Sequence, residues 1–179
     1  MDVPHRRQKN LKMVVVGIDP GFLGGFAVLR PSGVSVFDTE DFVVSEKKGK
    51  KNHREYHPIE MAETFRGAVQ RSSYQEDFRI VIGLEAVHAM PHQGTTSTFS
   101  FGKGFGIWLG ILGAEGHAVE LITPQRWKKH FHLIGQPKDA ARLLAKKLFP
   151  TIDLSVKKYV GRADALLIAQ YMKETLGSL

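Results

Sequence analysis

Apolar residues fall along this chain in two rhythms. Residues 13–18, MVVVGI, form an unbroken, β-branched run, the pattern of a strand buried on both faces. FAVLR and VSVF follow, separated by Pro31-Ser32-Gly33, and with the first run they predict an antiparallel meander of three strands. Residues 44–57, VSEKKGKKNHREYH, are charged and poor in apolar positions, which predicts an exposed, mobile loop. Pro58 then opens a helix in which Ile59, Ala62, Phe65 and Val69 recur at helical spacing. RIVIGLE at 79–85 predicts a fourth strand, residues 95–116 a long helix, and HAVELITP a short fifth strand. KDAARLLAKKLF and GRADALLIAQYMKE predict two closing helices. The order βββαβαβαα predicts an α/β fold, a mixed five-stranded sheet with helices on both faces. No internal repeat is evident. A length of 179 residues with 42% hydrophobic content suits one core, assigned to residues 13–179 behind a basic extension at 1–12.

The long helix carries an anomaly. It contains Gly102, Gly104, Gly106, Gly110 and Gly113, and each glycine costs a helix about 1 kcal/mol relative to alanine. Gly102, Gly106, Gly110 and Gly113 share one face, which lets another backbone approach closely. Either the chain's own sheet packs there, or a second copy does; in the latter case these glycines and Phe101 form a homodimer seam.

Charge narrows the partner. Lys and Arg number 25 against 18 Asp and Glu, a net +7. Between Thr123 and Arg162, ten basic residues (Arg126, Lys128, Lys129, Lys138, Arg142, Lys146, Lys147, Lys157, Lys158 and Arg162) face only Asp139 and Asp153. Such a segment is either a solvated face or a grip for a polyanion. The absence of cysteine excludes a disulfide framework and thiol catalysis. The longest apolar run, Gly104 to Gly113, is well short of the roughly 20 residues that span a bilayer, so no membrane partner is expected. The start, MDVPHRRQKNLKM, lacks the apolar core of a signal peptide. The expected location is cytoplasmic, with a plastid or other organelle as the alternative, because a cleaved leader can leave such a basic stub.

Three acids carry candidate chemistry. Asp19 and Glu85 each close an apolar strand, and in open α/β sheets sites lie beyond strand ends; each could equally be the first residue of a loop. Asp164 leads a helical face carrying Leu167, Ile168 and Tyr171, so it points inward and needs compensation. An N-terminal helix cap, a bridge to Arg162, or a metal ion shared with Asp19 and Glu85 would each supply it. Mg²⁺ prefers oxygen ligands. Two such ions roughly 4 Å apart would activate water and stabilise the leaving 3′ oxygen of a phosphodiester. A zinc site at Glu85, His88 and His92 would lack both cysteine and a fourth ligand.

Six segments together resemble the RuvC-type Holliday-junction resolvases of the RNase H-like superfamily in order and spacing. They are GIDPGFLGGFAVL (17–29), GLEAVHAMP (83–91), SFGKGFGIWLGIL (100–112), TPQRWKKHFHL (123–133), PKDAARLLAKKLFP (137–150) and GRADALLIAQY (161–171). The middle and end look most like the chloroplast branch, with phage-encoded relatives also similar. The resemblance implies an RNase H-like fold, a homodimer, two Mg²⁺ per site for which Mn²⁺ can substitute, and paired symmetric nicks across a four-way DNA junction. Asp19, Glu85 and Asp164 match the catalytic, metal-holding acids. Lys128 and Lys138 match two basic positions near the scissile phosphate. Lys138 would stabilise charge there, or either lysine simply neutralises backbone. Arg126, Lys129, Arg142, Lys103, Arg162 and His88 complete the candidate DNA contacts.

The match has departures. Where the bacterial family carries a fourth acid or a histidine this chain has Gly161, and where the chloroplast branch carries a histidine it has Val160. His88 stands at the aromatic wedge position, so Phe99, Phe101 or Phe105 is an alternative junction opener, or these pack in the core. The opening GIDPGFLGG also looks like the first phosphate loop of the actin and Hsp70 ATPases. No second such loop follows, so no nucleotide cofactor is expected. A non-catalytic junction-binding module and a nuclease acting on RNA–DNA hybrids are the remaining alternatives.

Overall fold

The computed structural model describes residues 12–48, 51–70, 78–86 and 94–176. The strands are β1 (Lys12–Asp19), β2 (Gly25–Arg30), β3 (Gly33–Asp38), β4 (Val43–Lys48), β5 (Lys51–Tyr56), β6 (Phe78–Glu85) and β7 (Val119–Ile122). The helices are α1 (Pro58–Gln70), α2 (Thr95–Ala114), α3 (Pro124–His130), α4 (Ala140–Leu148) and α5 (Val160–Leu176). Five strands form one sheet in the order β3-β2-β1-β6-β7. The β1–β2–β3 meander is antiparallel, while β6 and β7 run parallel to β1, so the mixed α/β sheet expected from the sequence is present.

Strand alternation splits the core in two. Val15, Ala27, Leu29 and Val81 project to one side, where they meet Trp127 of α3, Ala141 and Ala145 of α4, and the apolar face of α5. Val14, Val16, Ile18, Phe26, Val28, Ile82 and Leu84 project to the other, against Met61 and Phe65 of α1 and Trp108 and Leu112 of α2. Helices thus cover both faces of a sheet whose central strands are apolar on both sides. α5 lies directly on β1. A Cβ at Gly17 would lie 2.3 Å from the Ala165 carbonyl oxygen and 2.3 Å from the Ala169 amide nitrogen, so helix and strand touch backbone to backbone.

Three local expectations change. Residues 44–57 are mostly strand: β4 and β5 pair as a separate antiparallel hairpin from Val43↔Tyr56 to Lys48↔Lys51. A ribbon standing apart from the main sheet has little apolar surface to bury, so the alternation that signals strands is missing from its sequence. Hydrophobic periodicity does not predict α3, although Thr123 caps it by accepting from the Arg126 amide and Pro124 sits in its first turn, a standard helix start. β1 opens at Lys12, the last residue assigned to the basic extension, and residues 1–11 lie outside the described residues.

Four of the five α2 glycines do not face the chain's own fold. The contact with that fold uses Gly104, where a Cβ would sit 2.3 Å from the Pro20 carbonyl oxygen, together with Trp108, Ile111 and Leu112. A Cβ at Gly102, Gly106, Gly110 or Gly113 would meet nothing within 4 Å. Among the described residues no helix is long and apolar enough to cross a membrane.

Candidate active site

Register alone brings two of the acids together. Ile18 pairs with Leu84 across the parallel β1–β6 ladder, so Asp19 and Glu85 end neighbouring strands, which lie about 4.8 Å apart. Both point to the face that carries Gly17 and Gly83, since side chains two apart share a face. That is the face α5 covers: Met172 lies over Gly83 and Ala165 over Gly17. Asp164 immediately precedes Ala165, in the first turns of α5. The third acid therefore arrives at the same sheet end.

The β1–β2 turn wraps Asp19. The Gly21 amide donates to its Oδ1 at 3.1 Å, and a Cβ at Gly24 would lie 2.8 Å from that same oxygen. Gly161 stands where the sequence resemblance leads one to expect an acid or a histidine. A Cβ there would lie 1.8 Å from the Leu23 carbonyl oxygen and 2.6 Å from the Gly24 Cα. The turn fills the space any side chain at 161 would need, so no acid or histidine can stand there.

Each carboxyl is held above its ordinary range. Burial raises Asp19 to about 6, against the pull of the Gly21 amide and the Lys128 charge. Burial, then the charge of Asp19, raises Glu85 to about 7, opposed by a hydrogen bond from Trp127 and by Lys128. Trp127 Nε1 donates to Glu85 Oε1 at 2.9 Å. Asp164 is pushed well above its ordinary value by burial first, then by Asp19 and Glu85. Its Oδ1 is buried without a hydrogen-bond partner.

Two of the three ways to compensate Asp164 fall away. It lies four residues inside α5, too deep to cap the helix. Arg162 does not bridge to it: its guanidinium pairs with Asp38, donates to the Asp153 carbonyl at 2.8 Å and stacks 3.9 Å over the Tyr159 ring. A cation shared among the acids remains. Among the described residues no three His, Asp or Glu side chains are grouped closely enough to hold a metal ion as they stand, so the carboxylates would have to close around one. Their chemistry fits one. They are oxygen donors, mutually repelling, one with an orphaned buried oxygen, and Lys128 is a cation that all three feel. Hard divalent ions favour such a set.

The other candidates divide. Lys128 follows fully buried Trp127 on α3 and lies 5.0 Å from its ring. Lys129 and Lys138 are exposed. Arg126 is exposed and pairs with Glu120 at 3.0 Å, and Lys103 pairs with Glu55. Arg142 is placed differently from the open cation expected: it is 6% exposed, forks onto the Asp139 carboxylate and donates to the Leu154 carbonyl, so its guanidinium braces α4. Arg162 is likewise committed to protein partners. His88 and His92 lie outside the described residues. Phe99 is 73% exposed, Phe105 packs against the core, and the Phe101 ring lies beside Gly21, 3.0 Å from where a Cβ would be. Sequence reasoning missed Trp127, which orients Glu85, and Tyr56, whose hydroxyl lies 3.3 Å from both the Pro20 and Ser100 carbonyl oxygens.

In structure the chain is similar to T. thermophilus RuvC in complex with Holliday junction substrate, with a TM-score of 0.57 and 15% identity over 93% of this chain and 97% of that one. It is also similar to a Thermus thermophilus RuvC structure, with a TM-score of 0.54 and 17% identity over 92% and 97% of the two chains. No family model and no curated protein matches the sequence. Strand order, helix placement and these likenesses together establish an RNase H-like α/β fold.

Proposed function

We propose that the protein is a divalent-metal-dependent DNA endonuclease that resolves four-way junctions as a homodimer. One observation carries the reading: three acids from three separate elements gather at one sheet end, each with its pKa pushed above the ordinary range, with an orphaned Asp164 oxygen among them. A stable protein keeps such an arrangement only at a cost, and a cation relieves it. The junction substrate is the ligand named for one RuvC neighbour of the same fold; it is carried over here as part of the proposal.

Asp19, Glu85 and Asp164 would hold the metal, in our reading two Mg²⁺ per site with Mn²⁺ able to substitute. Bound metal supplies the positive charge that makes water a nucleophile at neutral pH and stabilises the leaving 3′ oxygen. The chain's own groups do the rest. The Gly21 amide and Trp127 Nε1 each fix one carboxylate oxygen, which leaves the other oxygen of each acid to turn toward the ion. Lys128 lowers the protonation tendency of all three acids and offers a positive charge to the incoming phosphate. Lys138 and Lys129 are exposed and would neutralise backbone farther out. The open glycine face of α2, with Leu109 39% exposed on the same helix, supports a second copy packing there.

The test is a synthetic mobile junction set against linear duplex and an RNA–DNA hybrid, with Mg²⁺, Mn²⁺ or EDTA. The expected result is metal-dependent, paired nicking of the junction only. Asp19→Asn and Asp164→Asn should abolish cutting while junction binding persists. Hybrid cleavage without junction cleavage would replace this reading with the RNase H one. Binding without any cleavage would leave a non-catalytic module.

A further inference from the structure

The β4–β5 hairpin stands outside the five-stranded sheet, yet its root is fixed to the candidate site. Tyr56, on its last rung, reaches the Pro20 carbonyl oxygen directly beside Asp19 and the Ser100 carbonyl oxygen of α2, both at 3.3 Å. Its ring stacks on Phe22 of the β1–β2 turn, with centroids 4.2 Å apart and planes 13° off parallel. The Arg54 guanidinium lies 4.9 Å from the other partner of that stack, the Phe22 ring. Glu55 pairs with Lys103 of α2. Burial and the Asp19 charge push the Tyr56 hydroxyl up to about 12, which records how near that root is to the catalytic acid.

Away from the root the ribbon becomes basic. Lys47 pairs with Asn52 and Lys48 with Lys51 across the ladder. Four of the five residues from Lys47 to Lys51 are lysine, a concentration of positive charge at the outer end of the ribbon that complements a polyanion. Alternation and register put Tyr56, Arg54 and Lys47 on one face. That face starts at the β1–β2 turn and runs outward. Six residues per strand extend about 20 Å, which is about six base pairs at 3.4 Å each. A two-stranded ribbon is also an element that fits a duplex groove.

We infer that the hairpin is a DNA clamp: its basic outer half grips the phosphates of a duplex arm about six base pairs from the cut, and its aromatic root ties that grip to Asp19. This rests on the nuclease reading above and adds where the substrate arm is held. Tyr56 is a positioning residue in this scheme.

The test uses the full chain in EDTA, so that binding is read without cleavage. Wild type, Lys47→Glu and the triple variant Lys47→Ala, Lys48→Ala, Lys51→Ala are titrated onto a four-way junction across a salt series and then footprinted with hydroxyl radicals. Each phosphate that is no longer neutralised should flatten the log Kd against log salt slope by about 0.9, so the slope of the triple variant should fall by between about 1 and 3. Protection should vanish about six base pairs from the cut and persist nearer the centre. Lys47→Glu alters one exposed side chain, and its melting temperature should match wild type; a folded Lys47→Glu protein with the wild-type slope and footprint overturns the clamp. If wild type cuts the junction in Mg²⁺ while both variants bind as it does, only the clamp falls. If wild type neither binds nor cuts the junction, the nuclease reading falls and takes the clamp with it.

Discussion

Glu85→Gln should make the metal-free protein more stable, and the gain should grow with pH. In the folded chain Glu85 holds its proton up to about 7, against an ordinary 4.5. Between those values the folded state binds more protons than the unfolded one, so stability falls as pH rises, and the loss is complete above about 7. At about 1.4 kcal/mol for each pH unit between the two values, the ionised carboxylate costs on the order of 3 kcal/mol at pH 8 and under about 1 kcal/mol at pH 5. Glutamine removes the charge and keeps an oxygen to accept from Trp127 Nε1. At roughly 2–4 °C per kcal/mol for a chain of this size, the variant should melt roughly 6–12 °C above wild type at pH 8 in EDTA, with only a small lead at pH 5. Adding Mg²⁺ should narrow the gap, because a ligand that binds the folded state stabilises it by mass action and the variant lacks one ligand. Thermal melts at both pH values, with and without Mg²⁺, check this. A variant that melts at or below wild type at pH 8 in EDTA, or whose lead is the same at pH 5, refutes the electrostatic reading of the site.

Mg²⁺ should raise the wild-type melting temperature far more at pH 8 than at pH 6, since protonated acids must ionise before they ligate and Asp19 and Glu85 do so only near 6 and 7. Gly161→Ala forces a Cβ to within 1.8 Å of the Leu23 carbonyl oxygen; it should cost roughly 1–3 kcal/mol in urea unfolding and abolish cleavage by lifting α5 away from the β1–β2 turn. Gly106→Ala with Gly110→Ala discriminates monomer from dimer: in water each change favours the helix by about 1 kcal/mol, whereas against a second backbone both destabilise. The dimer reading expects melting points that drop below wild type and depend on protein concentration. Arg142→Ala should lower the urea midpoint, because it strands Asp139 and the Leu154 carbonyl, yet leave the salt slope of DNA binding unchanged.

The sheet was legible because its strands are apolar runs with clear turns between them, and Asp19 and Glu85 could be singled out because each closes such a run. Asp164 was legible as a carboxylate on an apolar helical face. What brings the three together was not: it is the contact of Gly17 with Ala165 and Ala169, and a glycine in a strand does not name the helix it admits. Arg142 reads as a DNA contact in the sequence because charge along a chain does not reveal burial; its partners, the Asp139 carboxylate and the Leu154 carbonyl, exist only once α4 folds. The hairpin escapes a sequence reading because its strands bury little, and periodic hydrophobicity is a signal of burial rather than of strand. Trp127 reads as an ordinary core residue, and its indole N–H finds Glu85 only through the capped α3.

The site follows from the same contacts that make the fold. Parallel pairing of β1 with β6 sets two acids side by side on one face. Small residues at Gly17, Ala165 and Ala169 let α5 lie directly on that face, and Gly161 lets its first turn dock under Leu23 and Gly24. Each of these close approaches moves Asp164 toward Asp19 and helps to bury its Oδ1, so the packing that stabilises the core also concentrates negative charge. Bulkier residues at 17 or 161 would separate the acids and relieve the repulsion. The chain instead has glycine at both positions, and Trp127 and the Gly21 amide, each satisfying one oxygen, stop short of the Asp164 Oδ1. A fold optimised only for stability would place a donor or an apolar group there. In the reading proposed above, the unmet oxygen is the point at which stability and function diverge, and it is there that a cation would be measured first.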